Sequence, residues 1–161
     1  MTERFVDCAY VEQADGIYDL AVDPATGDLA LEEGLASALF VSLFSDRRAR
    51  EDEVADPMRR RGWIGNLVAE VPGDNHGSGF WLYEQRRLTG EVASGVRLEA
   101  EIALEWMVDA RLIRTATAEV LADPARRRIT LSVEVTEPDG GTSSRAYELA
   151  DATRQSILAR L

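Results

Sequence analysis

Ile129-Thr130-Leu131-Ser132-Val133-Glu134-Val135-Thr136 alternates apolar and polar residues at every step. Successive side chains on a strand point to opposite faces. One face of this strand therefore carries Ile129, Leu131, Val133 and Val135 toward a core, and the other turns Thr130, Ser132, Glu134 and Thr136 toward water. A face of that kind needs a cover, and the chain supplies one just upstream. Over 91–112 the period changes from two to about 3.6. There Ser94, Arg97, Glu101, Glu105 and Asp109 trace a polar stripe, while Val92, Val96, Ala103, Trp106, Met107 and Ala110 lie elsewhere on the helix.

The neighbouring segments extend this pair. Residues 113–121 read as a second strand, joined to the first by a turn of Asp123-Pro124 and Arg126-Arg127-Arg128. Pro138-Asp139-Gly140-Gly141 is a hairpin turn, because Pro fixes φ and Gly accepts φ > 0; 145–149 then pairs back. Asp151 is placed to cap a last short helix carrying Ile157, Leu158 and Leu161. Toward the N-terminus, strands are expected over 5–11, 17–22 and 29–31, divided by Ala14-Asp15-Gly16 and by Asp23-Pro24-Ala25-Thr26-Gly27-Asp28. A helix over 32–44 opens with Glu32 and Glu33, favourable at the positive end of its dipole. Its rows Leu35, Leu39, Leu43 and Ala36, Phe40, Phe44 make a wide apolar arc. A further helix is expected over 80–88.

Strands and helices are segregated along the chain. The expectation is an α+β fold, one domain over 1–161, with helices packed on one face of a small, mostly antiparallel sheet. The exception is a long irregular loop over 45–79, which contains Asp46-Arg47-Arg48, Glu51-Asp52-Glu53, Arg59-Arg60-Arg61 and, at its centre, Arg61-Gly62-Trp63-Ile64-Gly65-Asn66. Ordered loops of that length inside compact domains tend to be functional.

Composition excludes several classes of function. The 161 residues hold 18 cations against 29 carboxylates, a net charge of −11, and every cation is Arg. An acidic chain is poorly suited to neutralising phosphates, so no nucleic-acid partner is expected. No apolar run approaches the length of a membrane span, and Met1-Thr2-Glu3-Arg4-Phe5 carries no secretory pattern. Without Lys there is neither Schiff-base chemistry nor a phosphate loop of the Gly-Lys type. Cys8 and His76 are each the only residue of their kind, and the Glu51-Asp52-Glu53 run lacks calcium-loop spacing. No metal, cofactor or small-molecule substrate is expected.

An enzyme would have to use Ser78 and His76, in Gly73-Asp74-Asn75-His76-Gly77-Ser78-Gly79. The two are too near in sequence for easy triad geometry, and no strand leads into a nucleophile elbow. The plainer reading is a solvated loop with Ser78 capping the next helix. Arg59-Arg60-Arg61 and Arg126-Arg127-Arg128 read as partners for carboxylates of this or another chain. Trp81 and Trp106 are expected in the core. Trp63, between two glycines in a charged loop, is an anchor for this chain or for a neighbour. Candidate interface residues are Asp46, Arg47, Arg48, Arg60, Arg61 and Trp63 in the loop, with Glu101, Glu105 and Asp109 on the long helix as a face for a basic partner.

Several segments in order, Asp19-Leu20-Ala21-Val22, Gly27-Asp28-Leu29-Ala30, Ser45-Asp46-Arg47-Arg48-Ala49, Arg60-Arg61-Gly62-Trp63-Ile64-Gly65, Gly77-Ser78-Gly79-Phe80-Trp81-Leu82-Tyr83-Glu84 and Ala103-Leu104-Glu105-Trp106-Met107-Val108-Asp109, resemble the baseplate protein family of Mu-like phages, named for the forty-sixth gene product of phage Mu. That family is similar to the small wedge protein of contractile tails, which joins the baseplate wedge and helps start the sheath. The resemblance implies a non-enzymatic structural protein in the virion tail baseplate, held in host cytoplasm before assembly. It implies baseplate wedge and tail sheath proteins as partners, six copies per ring, and a chain that is monomeric alone. The wedge group's Glu-Pro-Arg signature has no counterpart in Trp106-Met107-Val108-Asp109-Ala110-Arg111. The same fold also occurs in a soluble regulator that sequesters a protein partner, which is the alternative reading.

Overall fold

In the computed structural model, residues 6–12, 18–64, 76–84, 86–126, 128–150 and 157–160 are described. The elements run β1 (Val6–Cys8), β2 (Tyr10–Glu12), β3 (Tyr18–Leu20), β4 (Leu31–Glu33), α1 (Ala36–Phe44), α2 (Gly90–Asp109), β5 (Thr115–Asp123), β6 (Arg128–Thr136), β7 (Thr142–Ala150) and β8 (Ile157–Arg160). Short 3-10 helices lie at Pro57–Arg59 and Phe80–Leu82. The architecture is α+β.

The alternating strand sits inside the main sheet, whose order is β5-β6-β7-β8 with every pair antiparallel. Thr115 faces Thr136 across β5 and β6, and Thr136 faces Thr142 across β6 and β7. The register puts Ala118, Leu131, Val133, Val135 and Tyr147 on the buried side, beside Ala100, Leu104 and Met107 of α2 and Leu39 and Leu43 of α1. Each large aliphatic side chain buried there contributes about 1.5–3 kcal/mol. A chain of aromatic rings ties the N-terminal strands to this core: Tyr18 to Phe40 at 4.6 Å, Phe40 to Phe44 at 5.0 Å, and Phe44 to Tyr147 at 5.1 Å. Burial pushes the Tyr147 hydroxyl pKa up to about 12, with Arg145 pulling against it.

Several boundaries differ from expectation, each for a local reason. The 5–11 strand is broken at Ala9. Its first part pairs with β4 and its second with β3, while the Ala9 N–H turns to the Ala30 carbonyl at 2.9 Å. Helix α1 begins at Ala36, because Leu31–Glu33 is drawn into pairing with β1. Glu32 nevertheless serves that helix end: its Oε1 accepts from the Ser37 N–H and hydroxyl, both at 2.7 Å. The 80–88 helix is reduced to one 3-10 turn because tertiary contacts claim its aromatics separately, Phe80 against Phe44, Trp81 on the Arg47 carbonyl and Tyr83 over Gly95. A Cβ at Gly95 would strike the Tyr83 hydroxyl at 2.5 Å and its ring at 2.6 Å, which is why a glycine stands inside α2.

Helix α2 starts on Thr89, whose Oγ1 accepts from the Val92 N–H. It stops three residues before the expected 112. The Leu112 and Arg111 N–H groups close back on the Met107 and Val108 carbonyls, with Arg111 in the left-handed conformation at φ 60°. Glycine normally marks that ending, and an arginine there gave no signal. Trp106 was expected in the core and is 39% exposed. Its indole N–H reaches back to Ser42 Oγ at 2.9 Å, so it seams α2 to α1 from the side. The terminal helix is also corrected: Ile157–Arg160 is a strand that extends the sheet, pairing with Ala146 to Leu149. Four residues are too few to separate a period of two from one of 3.6, and a free sheet edge was available. The residues 5, 13–17, 65–75, 85, 127, 151–156 and 161, on which parts of the expected strands, turns, loop, caps and helices fall, lie outside those described.

Candidate functional site

Within the segment expected to be irregular, the described residues 46–63 form a lobe built around Arg47, which is 5% exposed. Arg47 Nε and Nη2 donate to Glu99 Oε2 and Oε1 at 2.9 and 2.7 Å, and Nη1 and Nη2 donate to Glu53 Oε2 and Oε1 at 2.9 and 2.7 Å. One planar guanidinium thus forks onto two carboxylates. The Gly79 N–H adds a bond to Glu99 Oε2 at 2.8 Å, and the Arg50 N–H adds one to Glu53 Oε2 at 2.8 Å. Arg50 Nη2 lies 3.0 Å from Glu53 Oε1, so two cations meet two anions. Two-point geometry and saturated lone pairs are what let buried charge offset its desolvation. Hydrogen bonding from Arg47 draws the Glu53 carboxyl down to about 2, against an opposing effect of burial. Glu53 first and Glu99 second raise Arg47 further above its ordinary range.

Two further arginines of the lobe hold backbone. Arg48 reaches the Arg61 and Pro57 carbonyls at 3.2 and 3.1 Å, and Arg60 the Val54 and Ala55 carbonyls at 2.7 and 3.0 Å. A guanidinium can bond two carbonyls at once in fixed geometry, whereas an ammonium is a single point, which suits a chain whose cations are all Arg. The strap 45–49 lies between 60–63 and 76–78. The Arg47 and Ser78 N–H groups bond the Ser78 and Ser45 carbonyls, and the Trp63 and Ala49 N–H groups bond the Asp46 and Arg60 carbonyls, all at 2.8–3.0 Å. Gly62 makes the close approach possible. Its φ is +110°, and a Cβ there would sit 2.8 Å from Arg48 Cβ.

At the outer edge, Arg61 lies 5.0 Å over the Trp81 ring and pairs with Glu84 at 3.1 Å and Asp46 at 3.5 Å. Burial pushes the Asp46 carboxyl above its ordinary value, Arg61 pulls it back, and the Glu84 charge adds to the rise. Trp63 meets the His76 ring in a T-shaped contact with centroids 5.6 Å apart, yet remains 53% exposed; Ile64 beside it is 76% exposed.

Of the residues picked out in the sequence, Asp46, Arg47, Arg48, Arg60, Arg61 and Trp63 come together in this lobe. Arg47 is interior to it and the others line its surface or its seams. Glu101, Glu105 and Asp109 stand apart on the outward side of α2, with Glu101 paired to Arg97 at 2.7 Å. Sequence reasoning missed Glu53 and Glu99. Glu99 carried a signal: it lies on the core-facing side of α2 with Val96, Ala100 and Ala103, where a charge implies a buried partner. Glu53 in its acidic run carried none.

Within this arrangement the charged side chains pair with one another or with the main chain. Ser78, expected in a solvated loop, is buried: its hydroxyl donates to the Leu43 carbonyl at 2.6 Å, and its Oγ accepts from the Phe80 N–H at 3.4 Å, at the head of the following 3-10 turn. Among the described residues every buried side-chain nitrogen and oxygen has a hydrogen-bond partner, and no group of three His, Cys, Asp or Glu is placed to hold a metal ion. No helix there is long and apolar enough to cross a membrane.

Comparison with known proteins follows the same segments. The family model described as phage protein GP46 matches residues 35–142, from the start of α1 to the start of β7. The baseplate protein gp46 of Escherichia phage Mu is 31% identical over 139 residues, spanning 84% of this chain and 91% of that protein. The Mu-like prophage FluMu protein gp46 of Haemophilus influenzae is 28% identical over 122 residues, 76% of this chain and 82% of that one.

Proposed function

From the premise that this chain belongs to the phage protein GP46 family, we propose that it is a non-enzymatic structural component of a tail baseplate that works by binding neighbouring wedge and sheath proteins. The observation that carries this reading is the lobe. Buried ion pairs order a segment with little apolar core of its own, and the ordered segment ends in two exposed apolar side chains, Trp63 and Ile64. Large apolar groups on a rigid, polar-rimmed surface are the usual anchors of protein interfaces. Asp46, Arg48, Arg60 and Arg61 form the polar rim, and the outward side of α2 with Glu101, Glu105 and Asp109 gives a second surface. In the assembled tail six copies stand in a ring, each held by other proteins, so the free chain is a monomer in one compact unit.

The test is co-expression of the chain with the wedge and sheath proteins of its own tail, followed by affinity capture. Trp63→Ala is expected to lower recovery of at least one of them several-fold while leaving the melting temperature within a few degrees. Full recovery of both would remove the lobe as the contact.

A further inference from the structure

The acidic stripe on α2 runs along one side of an apolar ridge that the polar residues hide in the sequence. Leu98, Ile102 and Trp106 follow at i, i+4 and i+8, and all three are exposed, at 52%, 39% and 39%. A helix advances about 1.5 Å and 100° per residue, so they form a ridge about 12 Å long, drifting slowly around the axis. Glu105 and Asp109 lie directly alongside it and have no cation within ion-pair distance among the described residues. Glu101, whose charge Arg97 balances, completes the flank.

We infer that this ridge is the docking surface for a cationic amphipathic helix of a tail partner, one whose apolar stripe is bordered by Lys or Arg. The inference rests on the reading that the chain acts by binding, and it names the partner's chemistry at the second surface. Two observations choose that occupant. A ridge spaced at i, i+4, i+8 fits the groove between the corresponding rows of another helix. Its backbone N–H and C=O groups are already paired within α2, so it offers nothing to an added strand. A second copy would bring the same acidic row rather than a basic one, and the net charge of −11 repels both it and nucleic acid. Oppositely charged flanks steer the encounter and set its register, while the apolar ridge supplies affinity.

The test is titration of the full chain with a synthetic 18-residue helix carrying a leucine stripe bordered by arginines, alongside a scrambled peptide of the same composition. The Trp106 indole N–H resonance and backbone amide shifts along α2 are the readouts. The amphipathic peptide is expected to bind at least tenfold more tightly than the scrambled one and to shift residues 98–109. Glu105→Lys/Asp109→Lys and, separately, Ile102→Asp should each weaken it about tenfold or more, with circular dichroism unchanged. Trp63→Ala should leave it unaffected, so that failure of the lobe as an interface and failure of this surface are read separately. In assembled tails, a photo-cross-linker at position 102 should capture a helical, Lys- or Arg-bordered segment of another protein. Equal binding of both peptides, insensitivity to Ile102→Asp, or a cross-link to an acidic segment, to a strand or to another copy of this chain would each overturn the proposal.

Discussion

The sheet with α2 and the lobe over 46–63 are neighbours held together by different forces. The sheet body is apolar. Leu104, Met107, Leu131, Val133 and Val135 are essentially inaccessible, and their contacts follow from strand and helix periods. The lobe buries almost no large aliphatic side chain. Its order comes from Arg47 between two carboxylates, from Arg48 and Arg60 on backbone carbonyls, and from a left-handed glycine. Apolar burial is non-directional and tolerates small shifts. A forked guanidinium is directional, and leaving its partners unpaired is costly. The difference teaches that a segment without hydrophobic periodicity can still be rigid, provided that its charges are paired with one another and with the main chain.

Substitutions that remove one kind of force test this contrast. Arg47→Ala leaves buried Glu99 without a cation and Glu53 with only the exposed Arg50, and should destabilise by about 3–5 kcal/mol; a thermal or urea melt reads it, and a loss under 1 kcal/mol would mean that the cluster is incidental. Leu104→Ala opens a cavity between α2 and the sheet and should cost about 2–4 kcal/mol, as expected for a well-packed leucine. The two should differ in their response to salt, which screens the lobe's outer pairs and leaves apolar packing unscreened.

Acid separates the regions further. Glu53 titrates in the folded chain at about 2, below the ordinary 4.5 of a glutamate. Its folded value is depressed, so its contribution is fully present above pH 4.5 and is lost as the pH falls through about 2. That loss is on the order of 2–3 kcal/mol, and Glu53→Gln should flatten the stability curve in this window. Gly62→Ala, which adds a Cβ against Arg48 at φ +110°, should cost about 1–3 kcal/mol. Trp63→Ala, at an exposed site, should change folding by no more than about 0.5 kcal/mol, so any effect on capture of tail proteins would report binding alone.

The same contrast explains what could be read from residues alone. Segments governed by one repeating period were legible: β6 by its alternation, the hairpin by Pro138 to Gly141, α2 by its stripe. Where the deciding contact is distant in sequence, local pattern is silent. Glu53 meets Arg47 through a charged run that looks solvated, Trp106 turns sideways to Ser42, and the 157–160 segment becomes a strand because β7 offers an edge. The lobe residues were recognisable as a group, Asp46 to Trp63, from their arginines and from the tryptophan between glycines. That the arginines point inward at backbone and carboxylates could not be seen, because it depends on Gly62 bringing 60–63 against 46–49.

Amide hydrogen exchange, corrected for intrinsic rates, compares the two regions within one molecule. The amides of Arg47, Ala49 and Trp63 report the lobe, and those of Leu131, Val133 and Val135 report the sheet. Between pH 7 and pH 3 the lobe amides are predicted to lose at least tenfold in protection while the sheet amides keep theirs, and Glu53→Gln should show the same selective loss already at pH 7. Unchanged protection throughout the lobe, or a fall in step with the sheet, would contradict the account that paired charges hold it.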